Sequence, residues 1–559
     1  MRIINLRNLI FLTFPFAFGL FITINGLLSA SPTNISRPSL QFLVLFLIIT
    51  TLAKIIGGRF GYFRSFTIIS LIGLLLTGYI FQFLLVICLL FSYFIIGKLI
   101  LYEDSKQVPC INFIGLGMVF VGTLFYLTSF FPINNKITWA LIFFTSVFFF
   151  IKKFDKSKNF NYKKFININF FDLYNKPQET HSSLVTWQLC SIYSIASLHF
   201  LISLMPDFSS DALGIHLYIS NWTSNYGYWN YDAQNHVIAV YPLLSNWINT
   251  ISYLFGGEIA IKFTGIFVIF FSAELVRRIS LMFGADLTSS LYAVILFLLL
   301  PLSFALSSMV FVENIWTFLF LASIFSLFKV IFNNDEKESN LYLFLLLLSG
   351  VFASKLIAVT SLPLIFITLC LTFKSWGKNL NLQKLFFYLT IAIIIAVIPY
   401  LISYIKTGNP IFPYFNGIFK SEYYLSTNFE QTSFFDKGLS LNMLYKITFN
   451  PLRHIEGTIG AGGFHWFLII IPALPFLFLK KDYKKLFLLI FSFCLMFSFC
   501  FFTAYIRYLY PVFGLSCIIS GIIINEIKII NNFYQLFIQL LVVTTSILNS
   551  IFINAIYIT

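Results

Sequence analysis

Residues 206–235 read PDFSSDALGIHLYISNWTSNYGYWNYDAQN, a polar island with three aspartates, one histidine and neither Lys nor Arg. The rest of the chain is mostly apolar runs. The last strongly basic stretch before it carries Lys152, Lys153, Lys156, Lys158, Lys163 and Lys164, and lies one apolar span upstream. Short Lys- and Arg-rich loops stay on the cytoplasmic side, so one crossing puts the island on the other face. Acidic groups gathered there, at the mouth of a helical bundle, suit chemistry on a molecule that arrives through the bilayer.

Composition sets the fold class. The chain has 559 residues, 59% hydrophobic and 20% aromatic, with only 10% charged, and its mean hydropathy is +0.88. Soluble domains average near a quarter charged. The expected fold is therefore all-α, a polytopic transmembrane helical bundle. The net charge of +15 does not call for nucleic acid, because the Lys and Arg residues sit in short loops beside the spans. There they set orientation and meet anionic headgroups of the lipid bilayer. Seven scattered cysteines without a CxxC pair support neither a disulfide framework nor a zinc site. The N-terminal apolar run is too long for the core of a cleaved signal and reads as a retained first span, which places the N-terminus in the cytoplasm.

A helix needs about 20 apolar residues to cross the hydrocarbon. By that measure six crossings fall at 8–29, 40–57, 66–82, 83–101, 111–131 and 137–151. Eleven more fall at 185–205, 259–281, 285–301, 308–331, 341–354, 356–373, 385–405, 465–479, 486–503, 508–525 and 532–553. Of these about 17 spans, residues 1–151 form an N-terminal bundle and 152–183 a basic cytoplasmic linker. Residues 184–559 form a second bundle with every unusual polar feature. Arg277–Arg278, Lys329 with Lys337, Lys374 to Lys384 and Lys480 to Lys485 then share one side. Two large loops, 206–258 and 406–464, share the other. Segment 241–257, YPLLSNWINTISYLFGG, reads as an amphipathic helix on the outer surface, with Tyr241, Trp247 and Tyr253 at headgroup level.

The candidate chemistry collects on the side away from the basic loops. Asp207 and Asp211 are four apart, which in a helix puts both on one side. His216 follows. A carboxylate at the membrane surface can act as a general base, although a single aspartate after Pro206 or in SSD is also ordinary turn and N-cap chemistry. The pair also offers oxygen ligands of the kind a divalent cation such as Mg or Mn takes, without demanding one. Glu313, in VFVENIW, is an acidic group at membrane depth and therefore a functional candidate. Lys355, at a bend in GVFASKLIAV, suits a phosphate or a snorkelling role. KTGNPIFPYFNGIF, residues 406–419, cannot continue a helix and reads as an ordered aromatic turn containing Asn409 and Tyr414. Arg453, His454, Glu456 and His465 form an outer-facing polar set around IGAGG, a stretch that suits a mobile closing loop. Arg507, between Tyr505 and Tyr508, suits a lipid phosphate or an interface anchor.

In this order the pieces resemble GT-C superfamily glycosyltransferases of the bacterial, polyprenyl-phosphate-sugar-dependent type. SDALGIHLYISNW is similar to their first-loop acidic motif, D-x-L-x-Y-H-L-x-x-x-x-W, with Ile215 where the motif has Tyr. PLLSNWIN resembles their juxtamembrane helix, Glu313 their second-loop carboxylate, and GVFASKLIAVTSLPL their span with a small-residue turn and a Lys. TGNPIFPYFNGIF resembles a T-G-N-P-x-x-P-x-x-N-x-x-F signature, and IRYLYPVFG a late R-Y-x-x-P span. The resemblance covers residues 184–525 and leaves the six N-terminal spans outside it.

The resemblance implies inverting transfer of one sugar to a glycan, lipid or protein acceptor on the extracytoplasmic face of a bacterial inner membrane. Asp211, or Asp207 in competition, would act as the base. His216 would orient the acceptor or the donor phosphate, Lys355 and Arg507 would hold that phosphate, and Glu313, Asn409 and Tyr414 would support substrate binding. Two other classes remain open on sequence, a transporter or flippase of lipid-linked glycan and an O-antigen polymerase or ligase. Charges gathered at one face rather than at mid-membrane weigh against the first. The scarcity of outer arginines weighs against the second.

Overall fold

A computed structural model describes residues 6–30, 37–60, 62–101, 108–155, 183–333, 337–377, 380–429, 434–438, 440, 442–455 and 458–553. The described residues are predominantly helical, and among them one isolated backbone bridge between Ile455 and Tyr505 stands in place of any strand. Ten helices among them are long and apolar enough to cross a bilayer. An eleventh span is added if Leu287–Leu298 and Pro301–Ser308, bent by 56°, count as one. Pro301 accounts for the bend, since its ring and missing N–H end the preceding helix. Most of the basic linker, residues 156–182, lies outside the described residues, as does Glu456.

Helix ends sort into two groups. At one end, the starts of four helices are capped by short polar side chains, each accepting from backbone N–H groups of the first turn. Asp286 caps Leu287–Leu298, Asn381 caps Leu382–Thr407, Asp482 caps Tyr483–Phe502 and Asn531 caps Asn532–Ile551. The basic residues meet at this same end. Lys485 and Lys480 both pair with Glu526, Lys528 pairs with Asp286, and Lys484 donates to the carbonyl of Met282. Arg277 and Arg278 share Glu274 at 2.6 and 2.7 Å. The basic stretches at Arg277–Arg278 and Lys480–Lys485 thus lie close together. The other end carries residues 204–243, 309–312, 355, 408–429, 434–438, 442–455 and 458–464, with left-handed glycines stopping helices at Gly227 (φ 76°) and Gly408 (φ 71°).

The six N-terminal helices pack directly onto the rest. Ile80–Ile100 and Cys110–Thr128 approach so closely that a Cβ on Gly97 or Gly117 would overlap the backbone carbonyl of Phe113 or Tyr93. Small residues allow such close approach where no hydrophobic effect drives helices together. Phe125 then stacks on Trp247 at 5.0 Å, Asn112 donates to Ser326 at 3.1 Å, and Asn134 donates to the carbonyl of Gly227 at 2.9 Å.

That packing changes the reading of segment 241–257. It is helical, as the opening part of Leu244–Met282, and Gly257 (φ 69°, ψ −160°) breaks the helix where the segment ends. It does not lie on an outer surface, because Leu244, Trp247, Ile248 and Ile251 are all fully buried. The amphipathic pattern is explained by burial against protein on the apolar face, with the polar Asn246 turned to His216 at 3.0 Å. The glycine-rich IGAGG is also packed. Ile459 and Ala461 are buried, and a Cβ on Gly462 would fall 2.6 Å from the Phe513 ring. It is a tightly packed wedge.

Candidate functional site

The island begins as an extended stretch, and the helix starts only at Ser210. Asp207 therefore lies outside the helix, and the expected common side for Asp207 and Asp211 does not form. Each oxygen of Asp207 is committed to backbone. Oδ1 accepts from Ser209 N and Oγ, both at 2.8 Å, and Oδ2 accepts from Val310 N at 2.5 Å. Its own N–H donates to Glu258 at 2.8 Å, and Glu258 pairs with Lys262 at 2.9 Å. Lys262, buried within an apolar helix, was not singled out in the sequence. Asp207 thus ties the island to the turn that leads into Glu313.

Residues Ala212–His216 form one wide π turn, with Leu217 N bonded to Ala212 O. A five-residue repeat stacks Asp211 and His216 one above the other, whereas an α turn would turn them apart. Nδ1 of His216 lies 3.0 Å from Oδ1 of Asn246. With Nδ1 donating, Nε2 carries the lone pair. Burial holds the His216 imidazole down to about pKa 4, with Glu313 and Asp211 opposing that and Arg507 and Lys355 reinforcing it. The ring is neutral at physiological pH.

Four charges converge beside it. Nη2 of Arg507 lies 2.5 Å from Oδ2 of Asp211, and its Nε lies 3.0 Å from Oε1 of Glu313. Lys355 donates to the same Oε1 of Glu313. The second oxygen of Glu313, Oε2, is buried without a hydrogen-bond partner among the described residues. Two carboxylates and two cations balance. Buried carboxylates are rarely left half-satisfied, which sets Glu313 apart from the fully bonded Asp207.

Each element that brings a charge here does so at its end. Glu313 opens Glu313–Phe332, Lys355 sits in an extended residue just past Lys337–Ser354, and Arg507 lies in the short turn Ile506–Leu509 before Tyr510–Lys528. Aromatic faces wall the cations. The Lys355 ammonium lies 3.7 Å from the Tyr508 ring centroid and 5.6 Å from that of Trp316. The Arg507 guanidinium lies 4.7 Å from Phe311 and 5.1 Å from Tyr505. Contacts of this kind hold a cation without consuming its hydrogen-bond donors.

Asn409 and Tyr414 play different parts. The amide of Asn409 is buried inside its own turn, accepting from Ile411 N and donating to Tyr414 O, both at 3.0 Å. It shapes the turn. Tyr414 lies beside Tyr241, with ring centroids 6.4 Å apart, and burial raises both phenols above their ordinary range, with Tyr505 adding to the effect on each. The aromatic turn is therefore joined to the charge cluster through a set of tyrosines.

The remaining sequence candidates disperse. His465 turns into the bundle, with Nε2 2.7 Å from Ser516 Oγ, so it is not outer-facing. Arg453 pairs with Asp436 at 3.5 Å. Among the described residues no group of three His, Cys, Asp or Glu is placed to hold a metal ion. Sequence reading missed Asn246, Phe311 and Trp316. The last two flank Glu313 at −2 and +3, a signal that was present in VFVENIW.

No protein-family model, curated protein or solved structure matches this chain.

Proposed function

We propose that this chain is a membrane glycosyltransferase of GT-C type. It moves a sugar from a polyprenyl-phosphate donor to an acceptor hydroxyl on the extracytoplasmic face, with inversion and with Asp211 as general base. The observation that carries the reading is the double ion pairing of Arg507 to Asp211 and Glu313, with Lys355 on the same glutamate. Five residues expected to act together, scattered from 211 to 507 in sequence, meet at one end of the bundle.

The chemistry follows from charge balance. The donor phosphodiester carries one negative charge, which Lys355 and Arg507 attract. The acceptor oxygen attacks the anomeric carbon from the face opposite the phosphate, and its proton passes to Asp211. The bond from that carbon to the phosphate oxygen breaks, and the electron pair leaves with the phosphate as its second charge. Asp211 loses its charge as the phosphate gains one, so Arg507 can shift from carboxylate to phosphate with no net change in the site. Neutral His216, with a free lone pair on Nε2, accepts a hydrogen bond from a sugar or acceptor hydroxyl. Asp207 is disfavoured as the base because both oxygens are already bonded to backbone N–H groups.

The bend at Pro301 favours a transporter, since broken spans mark many transport sites. The charge cluster sits at helix ends rather than at that bend, which favours the enzyme. Purified protein incubated with a panel of radiolabelled polyprenyl-phosphate sugars tests the choice. Release or transfer of sugar from one donor supports the enzyme. Donor movement across proteoliposome membranes without any bond cleavage supports the transporter.

A further inference from the structure

Leu382–Thr407 is the least enclosed of the ten candidate spans among the described residues. Its exposed Phe386, Ile393, Val397, Leu401 and Ile405 follow one another at helical spacing, so one stripe of the helix has no protein over it. Its 26 residues rise about 39 Å at about 1.5 Å each, where the hydrocarbon is about 30 Å thick. Centred in a bilayer, the helix therefore ends at headgroup level on both sides. Lys384 and Lys406 stand near its two ends, where lysines snorkel to lipid phosphates.

Gly408 stops the helix, and the chain folds back at once. The carbonyl of Asn409 accepts from the hydroxyls of Ser403 and Thr407 at 2.8 and 3.1 Å. The side chain of Asn416 accepts from Ser421 N and donates to Leu425 O, both at 2.9 Å. Held by these bonds, residues 409–425 stay beside the end of the span. The polar Asn409 and Asn416 are fully buried, whereas Phe415 and Phe419 are exposed, and Ile418 and Leu425 reach 69% and 70% exposure. One exposed apolar side chain needs no explanation, but four within eleven residues mark an interaction surface. Lys406 and Lys420, both exposed, outnumber Glu422, the one acid between positions 406 and 429.

We propose that residues 415–425 are a membrane anchor, in which Phe415, Ile418, Phe419 and Leu425 enter the headgroup–acyl boundary of the leaflet at the cluster end, while Lys406 and Lys420 meet its phosphates. The partner is a lipid surface because the patch continues a lipid-facing stripe at the height where the hydrocarbon ends. Aromatic and aliphatic side chains flanked by lysines suit that zone. Anchoring also bears on the four-charge cluster. Tyr414, next to Phe415 on the same turn, lies 6.4 Å from Tyr241, so the anchor fixes the height of the aromatic side of the site relative to the bilayer. This placement does not rest on the glycosyltransferase reading, since it holds whatever the cluster binds.

The test is fluorescence quenching of the full chain in lipid nanodiscs, where both faces meet an aqueous quencher. Cys88→Ser, Cys110→Ser, Cys370→Ser and Cys494→Ser remove every cysteine that is not buried. Ile418→Cys or Leu425→Cys then carries the dye, and Ile394→Cys, exposed at the middle of Leu382–Thr407, gives the deep reference. Both turn probes should lose fluorescence to a lipid nitroxide near the headgroup and resist aqueous iodide. They should respond less than the Ile394 probe to a nitroxide near the chain end. Two probe positions keep the result from depending on one variant, and an unchanged melting temperature shows that each folds. Iodide quenching of either probe without lipid quenching would put that face in water and overturn the proposal. Protection from iodide and from both nitroxides would mean that protein covers the patch, and would overturn it as well.

Discussion

The guanidinium of Arg507 lies 2.5 Å from the carboxylate of Asp211, 296 positions earlier in the chain. Its Nε also reaches Glu313 at 3.0 Å. A lysine in its place carries the charge but not the fork that spans both acids. Arg507→Lys should therefore leave the protein folded and reduce turnover by about 10- to 100-fold, on the scale of lost bidentate recognition. Steady-state transfer kinetics check this, and unchanged turnover would show that the bridge is structural only.

Glu313 holds two cations with one buried carboxylate. Removing one partner of a buried ion pair typically costs about 3–5 kcal/mol. Glu313→Gln should lower the detergent melting temperature by more than Asp211→Asn does, because among the described residues Asp211 pairs with Arg507 alone and is 28% exposed against 1% for Glu313. Scanning fluorimetry of both variants compares them.

His216 gives a pH signature. Its folded pKa is about 4, against about 6.5 in an unfolded chain. Between those values the unfolded state binds the extra proton, so stability is intact above pH 6.5 and falls as pH drops towards 4. The loss amounts to about 3 kcal/mol if the whole shift is realised. Melting temperature against pH should fall less steeply in His216→Gln than in wild type. Identical slopes would mean that the imidazole is charged in the folded protein.

Asp207 and Asp211 should separate by kind of defect. Asp207→Ala leaves Val310 N and Ser209 N without their acceptor, which costs about 1–3 kcal/mol and loosens the turn before Glu313. Asp207→Asn keeps one acceptor oxygen and should recover most of that stability and most of the turnover. Asp211→Asn should lose turnover while costing less stability than Glu313→Gln. Recovery by neither asparagine would place both aspartates in the chemistry.

Much of this was legible in the sequence because it depended on composition at span ends. The basic loops declared one side, and the acids, Lys355 and Arg507 fell on the other by alternation alone. What the sequence could not show was which acid would be spent on backbone. Asp207 and Asp211 differ only in whether the helix has begun, and a shift of three residues decides it. The π turn that stacks Asp211 on His216 has no signature in ALGIH. Trp247 and the segment around it looked like a surface helix because its burying partner, Phe125 and its neighbours, lies more than a hundred residues away. The close packing of IGAGG was hidden for the same reason, since glycine marks close approach and mobility alike.

The central claim is that Asp211 takes the acceptor proton. The direct measurement is sugar transfer from the radiolabelled polyprenyl-phosphate donor, comparing wild type with Asp211→Asn and following donor binding alongside. The account predicts that one donor is turned over by wild type, and that Asp211→Asn binds it with turnover lower by about 10²- to 10⁴-fold, the usual worth of a general base. Equal turnover by the two proteins, with the donor bound by both, would contradict it.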